Sequence, residues 1–220
     1  MGETMTKAAE KGGERMRNNH YANVAIVAIC LVVSGWALAK SSVLGRPQKP
    51  EKVILQDVPF NGKDPLEITE IRVNGKAIKI AENFVEDGEW LNEAAFMLTN
   101  TYSKPITYVQ IDVDFPEIER KGGAILQHQI LLGRHPIYKS DERPGLRILP
   151  GDSIELSFAS EYKEMKRVIE LTKTPINNIN KIVIRFSEAA FDDGTLYSGG
   201  RMYVRNPDPN GHQKWIQIKE

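Results

Sequence analysis

Cysteine is almost absent from this chain, since Cys30 is the only one among its 220 residues. A single cysteine excludes an intrachain disulfide framework and any cysteine-rich metal site. Excess charge is absent too, because 29 Lys and Arg residues balance 29 Asp and Glu residues. A nucleic-acid-binding surface usually shows as a basic excess. Nucleic acid is therefore not an expected partner.

The sequence motifs of several common enzyme classes are also missing. There is no Gly-x-Ser-x-Gly elbow, no P-loop and no Gly-x-Gly-x-x-Gly loop. The histidines are not at the short spacing that zinc ligands on one element adopt. These four residues are His20, His128, His135 and His212. We therefore expect a protein that is not an enzyme and that needs no cofactor and no metal.

One long run without charge is present near the N-terminus. Residues 21–39 contain no charged side chain, and residues 24–33 are all apolar. As a helix with ~1.5 Å rise per residue, 18 residues reach ~27 Å, close to the ~30 Å hydrocarbon core of a bilayer. We interpret residues 21–39 as a transmembrane signal anchor in contact with membrane lipid. The small residues Ala37 and Ala39 leave cleavage by signal peptidase as the alternative.

The anchor predicts the location of the rest of the chain. Basic residues are equally frequent just before and just after the apolar run, so they do not decide its orientation. A short tail before a large domain favours a cytoplasmic tail at 1–20. The expected location is the cell inner membrane, in a single pass, with the C-terminal domain on the periplasmic or extracellular side.

After the anchor, two regions differ in composition. Residues 40–60 are rich in proline and mixed charge, which is typical of a linker with at most one short strand near residues 53–55. Residues 61–220 show frequent short segments in which apolar residues are spaced by two, the pattern of half-buried strands. Examples are the apolar residues at 94, 96 and 98, at 109, 111, 113 and 115, and at 182, 184 and 186. We predict one β-sandwich domain there.

Turn and helix signals refine this prediction. Asn74-Gly75 between two strand-like runs predicts a tight hairpin, and Asp193-Gly194 predicts a turn before one strand at 196–204. A single helix is predicted after Ser160, which can cap it, and before Pro175. The face that it should bury carries Tyr162, Met165, Val168, Ile169 and Thr172. About seven to nine short strands with one helix are typical of an antiparallel β-sandwich.

Two short motifs carry a family resemblance. Residues 100–106, Asn-Thr-Tyr-Ser-Lys-Pro-Ile, and residues 150–153, Pro-Gly-Asp-Ser, resemble turns of immunoglobulin-like domains in bacterial membrane-anchored envelope proteins. The resemblance covers residues 66–205. It implies an immunoglobulin-like β-sandwich in which residues 100–106 join strands of opposite sheets. Domains of this fold serve adhesion, scaffolding and sugar binding, so the resemblance implies no single function.

The candidate interaction residues are aromatic: Trp90, Tyr108 and Trp215. Trp90 lies in a polar, turn-like stretch, where an exposed ring could stack on a sugar or a partner. The alternative is that Trp90 folds back and fills one end of the sandwich. Asp112 and Asp114 share one strand face and could bind Ca²⁺ or act as acid and base. The simpler interpretation is a solvated face.

These observations predict a function of binding rather than catalysis. We expect a membrane-anchored, exported, non-enzymatic β-sandwich that mediates protein–protein interaction with an envelope protein or supports an envelope complex. The alternative is a module that binds a glycan or another cell-wall ligand through Trp90 and nearby aromatic residues.

Overall fold

The structure is a computed structural model of the chain. It describes residues 49–58, 63–86, 88–120, 122–136, 142–208, 210 and 213–218. The predicted tail, the predicted anchor at 21–39 and Cys30 lie outside these residues. Within them, no helix has the length and apolar character needed to cross a bilayer.

The described part of the chain is mainly β, with twelve strands and one α-helix. The helix, α1, spans Tyr162–Glu170, and short 3-10 helices precede it at Phe158–Ser160 and follow it at Ile176–Asn178. The strands are β1 (Glu51–Gln56), β2 (Leu66–Val73), β3 (Lys76–Ile78), β4 (Asn83–Val85), β5 (Ala94–Asn100), β6 (Ile106–Glu119), β7 (Ile125–Gly133), β8 (Ser153–Ser157), β9 (Lys181–Phe191), β10 (Thr195–Ser198), β11 (Arg201–Arg205) and β12 (Trp215–Gln217).

The strands form two sheets. The small sheet has the order β3-β2-β5-β8. In the large sheet, β9 is the central strand: it pairs along one side with β6, which also pairs with β7. Along its other side, β9 pairs with β1 at its beginning and with β10 at its end, and β4, β11 and β12 continue from these two strands.

The alternation of apolar residues gives each sheet one buried face. Phe96 and Leu98 of the small sheet belong to the same core as Ile111, Val113 and Ile184 of the large sheet. The predicted core faces of β5, β6 and the first part of β9 are therefore confirmed. Two sheets that share one core in this way form a sandwich.

The boundary between linker and domain is corrected. β1 lies inside the predicted linker 40–60, yet it sits between β4 and β9 in the large sheet. Its Lys52 is buried, and the ammonium donates to Ile179 O at 3.2 Å and to Asn180 Oδ1 at 2.7 Å. The folded unit thus includes β1 and extends N-terminal to residue 61. The β1–β9 pair is parallel, so the sandwich is not wholly antiparallel.

The helix has the predicted buried face but a different start. Tyr162, Met165 and Ile169 are buried, as their spacing predicted. Ser160 does not cap α1, because it belongs to the preceding 3-10 helix and its hydroxyl donates to Ser157 O. The residue before α1 is Glu161, which makes no side-chain capping bond.

The hairpin predicted at Asn74-Gly75 is confirmed. It joins β2 to β3, with φ values of 52° and 72° at the two turn residues. The strand predicted at 196–204 is wrong, since the chain turns at Gly199-Gly200 and continues as β10 and β11. Both of these glycines also have positive φ, which glycine adopts without strain.

Substituting Gly75 by valine tests how firmly this hairpin is specified. A Cβ at residue 75 would meet no atom within 4 Å, so only the positive φ opposes a side chain there. We expect Gly75→Val to lower the free energy of unfolding by about 1–3 kcal/mol, measured by urea denaturation. Gly145→Val is the matched control, because residue 145 has open space and no positive φ. Equal effects of the two substitutions would contradict the strained-turn explanation.

The two motifs that resemble immunoglobulin-like turns meet in space. Residues 101–105 connect β5 of the small sheet to β6 of the large sheet. The buried side chain of Asn100 holds this connection: its amide donates to Lys104 O and to Ile148 O, both at 2.9 Å, and its oxygen accepts from Tyr102 N at 2.9 Å. The turn before β8 joins it, since Gly151 N donates to Asn100 O at 2.8 Å.

Candidate functional site

The outer face of the large sheet, opposite the core, is polar. On β6, residues 109, 111, 113 and 115 face the core, so the alternate positions face outward, as predicted. The outward positions are Tyr108, Gln110, Asp112 and Asp114.

A β-bulge on the central strand adds further polar groups to this face. Gln110 pairs with Glu188 and Ile111 pairs with Phe186, which leaves Ser187 as an extra residue on β9. An extra residue reverses the alternation of all residues after it. Arg185 before the bulge and Glu188 after it therefore lie on the same face.

Together these strands border a groove of about 700 Å³. That volume lies in the range of about 300–1,000 Å³ that is usual for ligand sites. The groove runs across the outer face between β6, β7, β9, β10 and β11. Its lining residues are Asp57, Gln110, Asp112, Gln127, Arg185, Phe186, Ser187, Glu188, Tyr197, Ser198, Gly199, Arg201 and Tyr203.

Asp112 lies at the floor of the groove and is only 6% exposed. Its carboxylate accepts hydrogen bonds from Gln110 Nε2 at 3.1 Å and from the Ser187 hydroxyl. The simpler interpretation of this strand face as solvated is therefore wrong for Asp112. The predicted alternation on β6 is correct, since Asp112 is on the outer face. Side chains of the neighbouring strands nevertheless cover the Asp112 carboxylate.

One guanidinium group balances three carboxylates in and beside the groove. Arg185 Nη2 lies 2.9 Å from Asp114 Oδ2, Nη1 lies 3.8 Å from Asp57 Oδ2, and Nε lies 4.0 Å from Asp112 Oδ2. In the part of the chain that the structure describes, no cluster of three His, Cys, Asp or Glu side chains has a metal-binding arrangement. Here Arg185 occupies the centre of the acidic residues as their counter-ion.

The lining of the groove has a small surplus of negative charge, with three carboxylates against two guanidinium groups. Burial raises the pKa of Asp114 above its ordinary value; Arg185 opposes this shift, whereas Asp112 and Asp57 add to it. The net direction is upward because burial, the largest cause, outweighs the favourable contact with Arg185. Such a groove favours ligands that donate hydrogen bonds or carry positive charge.

An apolar cluster lies at one end of the outer face of the large sheet. Tyr108, Ala190 and Leu196 are its buried members, and Tyr203 and Trp215 pack against them. The His135 ring stands edge-on to Tyr108 with centroids 4.8 Å apart, and the Arg143 guanidinium lies 5.5 Å from the Tyr108 ring centre.

These contacts decide which predicted aromatic residues are accessible. Tyr108, which we predicted as an interaction residue, is buried and only 2% exposed. Trp215 is half-buried and borders the same cluster. Tyr203, which packs beside it, lines the groove.

The third predicted interaction residue, Trp90, lies in the core rather than on the surface. It is 1% exposed, and its indole N–H donates to Ile179 O at 2.9 Å. Phe84 stands edge-on against it, with ring centroids 5.4 Å apart. Of the two interpretations of Trp90, the structure supports the one in which it fills the interior.

His128 and Asp193 have structural roles. His128 is buried in phase with Leu126 and Ile130, and its Nε2 lies 3.3 Å from Glu161 Oε2. Asp193 lies in the turn between β9 and β10 and accepts from Thr195 N at 3.0 Å. Neither residue borders the groove.

No sequence pattern identified Arg185, Ser187, Glu188 and Arg201 as members of one site. Regular alternation from Ile182 to Phe186 suggested an ordinary strand, and no local signal marked the bulge at Ser187. The sequence signal that could have indicated the site is the series of polar residues at the outward-facing positions of β6.

Comparisons with known proteins give no guide to function. No protein-family model matches the chain, and neither a curated protein nor a solved structure matches it. The function is therefore argued from the groove.

Proposed function

We propose that this protein is a membrane-anchored, exported, non-enzymatic binding module of immunoglobulin-like type, whose groove takes a hydroxyl-rich ligand, a glycan of the cell envelope. One observation carries the proposal: a polar groove of about 700 Å³ on the outer face of the large sheet, with Asp112 buried at its floor. From the sequence alone, glycan binding is the alternative to interaction with an envelope protein.

The hydrogen-bonding groups of the groove suit a ligand with many hydroxyls. A hydroxyl both donates and accepts, so it can pair with each kind of group that is present. Carboxylates such as Asp57 only accept, guanidinium groups such as Arg201 only donate, and amides such as Gln127 do both. Tyr203 adds an aromatic ring to the wall, with an apolar body and a polar tip.

The charge of the groove argues against an anionic ligand. Three carboxylates line it, from Asp57, Asp112 and Glu188, and they exceed by one the guanidinium groups of Arg185 and Arg201. Phosphate or sulfate groups would meet repulsion there. The same surplus favours a second candidate ligand, a basic segment of a protein partner, which would donate from lysine or arginine.

The anchor and the exported location rest on the uncharged stretch 21–39. An apolar run of this length without charge is typical of a transmembrane helix. If the anchor is correct, the protein stays in the membrane pellet after alkaline carbonate extraction, whereas full release would contradict it.

The ligand proposal is tested by titration calorimetry on the full chain in detergent, with a trisaccharide of N-acetylglucosamine as the probe. We expect saturable binding that Arg201→Ala weakens about tenfold, since a hydrogen bond to a charged group contributes about 1.5–3 kcal/mol. Arg205→Ala is the matched control: both arginines are exposed on β11, but Arg205 does not line the groove.

The other outcomes are equally specific. No binding of the trisaccharide, together with binding of a tetralysine peptide that Arg201→Ala strengthens, would replace the glycan by a basic protein segment, because the variant removes a like charge from the groove. Equal weakening by both arginine variants would contradict the groove as the site. Release of shorter sugars during the titration, detected by mass spectrometry, would contradict a non-enzymatic role.

A further inference from the structure

β7 forms one edge of the large sheet. It is nine residues long, from Ile125 to Gly133, and it pairs with β6 alone. Among the residues that the structure describes, no backbone hydrogen bond reaches its other edge. An edge of this kind presents a row of N–H and C=O groups to which another strand can pair.

The sequence of β7 lacks the features that usually prevent such pairing. It reads Ile-Leu-Gln-His-Gln-Ile-Leu-Leu-Gly, with no Lys, Arg, Asp, Glu or Pro. Edge strands of monomeric proteins are commonly protected by charge, proline or short length. Ile125 and Leu131 are instead 49% and 39% exposed, although both are large apolar residues.

The other outermost strands in the described part of the chain differ from β7. β3, β4 and β12 have three residues each, and β8 has five with Glu155 at its centre. Short or charged edges offer few hydrogen bonds to a second strand. Among these outermost strands, β7 is therefore the one that is both long and free of charged residues.

The helix does not occupy this edge by backbone pairing. α1 approaches β7 at the buried His128, whose Nε2 lies 3.3 Å from the carboxylate of Glu161. His128 is in phase with the core residues Leu126 and Ile130. The contact with the helix is therefore on the core side of β7.

We propose that β7 pairs with β7 of a second copy of this chain, antiparallel, about a two-fold axis at Gln129. Gln129 is the midpoint of the strand, so this register overlaps all nine residues and forms the largest number of backbone hydrogen bonds. A two-fold axis makes the same surface serve on both copies, the usual arrangement of homodimers.

The opposing side chains are compatible in this register. Leu126 faces Leu132 of the second copy, Gln127 faces Leu131, and the two Gln129 amides face each other. Because β7 carries no charged Asp, Glu, Lys or Arg, no like charges of these residues lie opposite each other. Like charges in that position destabilise antiparallel pairs, so the neutrality of β7 favours pairing with itself.

The dimer would bring two ligand grooves onto one surface, whatever ligand each groove binds. A two-fold axis perpendicular to a continuous sheet keeps both outer faces on the same side. Two grooves, each bordered by Gln127 of its own copy, would then lie on one surface. A polymeric ligand could occupy both, which raises its apparent affinity.

The test uses the full chain in detergent and measures molar mass by analytical ultracentrifugation over a range of protein concentrations. We expect dimers for the wild type. Gln129→Lys and Gln129→Glu, each alone, place two like charges opposite each other and should weaken the dimer about tenfold or more. An equimolar mixture of the two variants should restore it, because lysine then faces glutamate.

The control is Gln217→Lys, which adds the same charge at an exposed glutamine of the short edge strand β12. It should leave the dimer unchanged. Thermal unfolding verifies that each variant folds, as expected for the exposed Gln129. Each of three results would overturn the proposal. The wild type could be monomeric, Gln129→Lys could leave the dimer unchanged, or the mixture of the two variants could stay monomeric.

Discussion

Replacing Trp90 by alanine is expected to lower the free energy of unfolding by about 3–5 kcal/mol, the usual cost of truncating a buried aromatic residue. The indole is 1% exposed, so its removal leaves a cavity between the two sheets. It also removes the ring contact with Phe84 and the hydrogen bond to Ile179 O. Urea denaturation followed by circular dichroism measures the effect.

Trp90→Phe separates packing from hydrogen bonding. The phenyl ring retains much of the buried area but has no N–H. Ile179 O would still accept from the Lys52 ammonium, which lies 3.2 Å away, so the carbonyl would not become unsatisfied. We expect this variant to lose about 1–2 kcal/mol, less than the alanine variant.

Trp215→Ala is the contrasting control because Trp215 is half-buried on the outer face. It should destabilise the domain less than Trp90→Ala. If Trp90→Ala instead left stability unchanged and abolished retention of a co-purifying partner, Trp90 would be a surface residue in solution and the buried placement would be contradicted.

The second large effect is expected at Asn100. Asn100→Ala removes two donors and one acceptor from a side chain that is 1% exposed. The carbonyl of Lys104 and the N–H of Tyr102 lose their hydrogen-bonding partner, whereas Ile148 O still accepts from Ile106 N at 2.9 Å. Unsatisfied buried groups cost about 1–3 kcal/mol each. Partial access to water should limit the total to about 3–4 kcal/mol, measured by urea denaturation.

Asn100→Asp gives a sharper test because it preserves shape. An ionised aspartate has no donor, so two carbonyl oxygens would face a buried negative charge. We expect a loss at pH 7 at least as large as that of the alanine variant. The folded state would prefer the protonated acid, which raises the pKa of that side chain above its unfolded value. The loss should therefore diminish as the pH falls through the raised pKa.

The matched control is Asn178→Asp, at an exposed asparagine of the second 3-10 helix. It should change stability by no more than about 0.5 kcal/mol at either pH. If Asn100→Asp behaved like Asn178→Asp, the connection between the sheets would not depend on the Asn100 hydrogen bonds, and the structural role assigned to residues 100–106 would be wrong.

Much of the fold followed from patterns within single segments. Period-two alternation identified the core faces of β5, β6 and the first half of β9, since side chains of a strand alternate by geometry alone. Asn74-Gly75 predicted its hairpin because few residue pairs accept positive φ at both positions. The spacing of Tyr162, Met165 and Ile169 predicted the buried face of α1 for the same local reason.

The candidate site depended on relations that no single segment contains. Alternation placed Asp112 on the outward face of β6, but only neighbouring strands determine whether that face is covered. The bulge at Ser187 reversed the phase of β9 and brought Glu188 to the side of Arg185. A bulge arises from the register between two strands, which the sequence of one strand does not specify.

The sequence by itself determined that this chain is mainly β, which faces its strands bury, and where several turns fall, because these properties depend on the geometry of a few adjacent residues. The tertiary structure decided the rest. It buried Trp90 in the core although this residue lies in the loop between β4 and β5, it placed β1 of the predicted linker in a parallel pair with β9, and it assembled the groove from separate strands. Burial, strand order and register depend on contacts between residues far apart in the chain, and local periodicity carries no information about them.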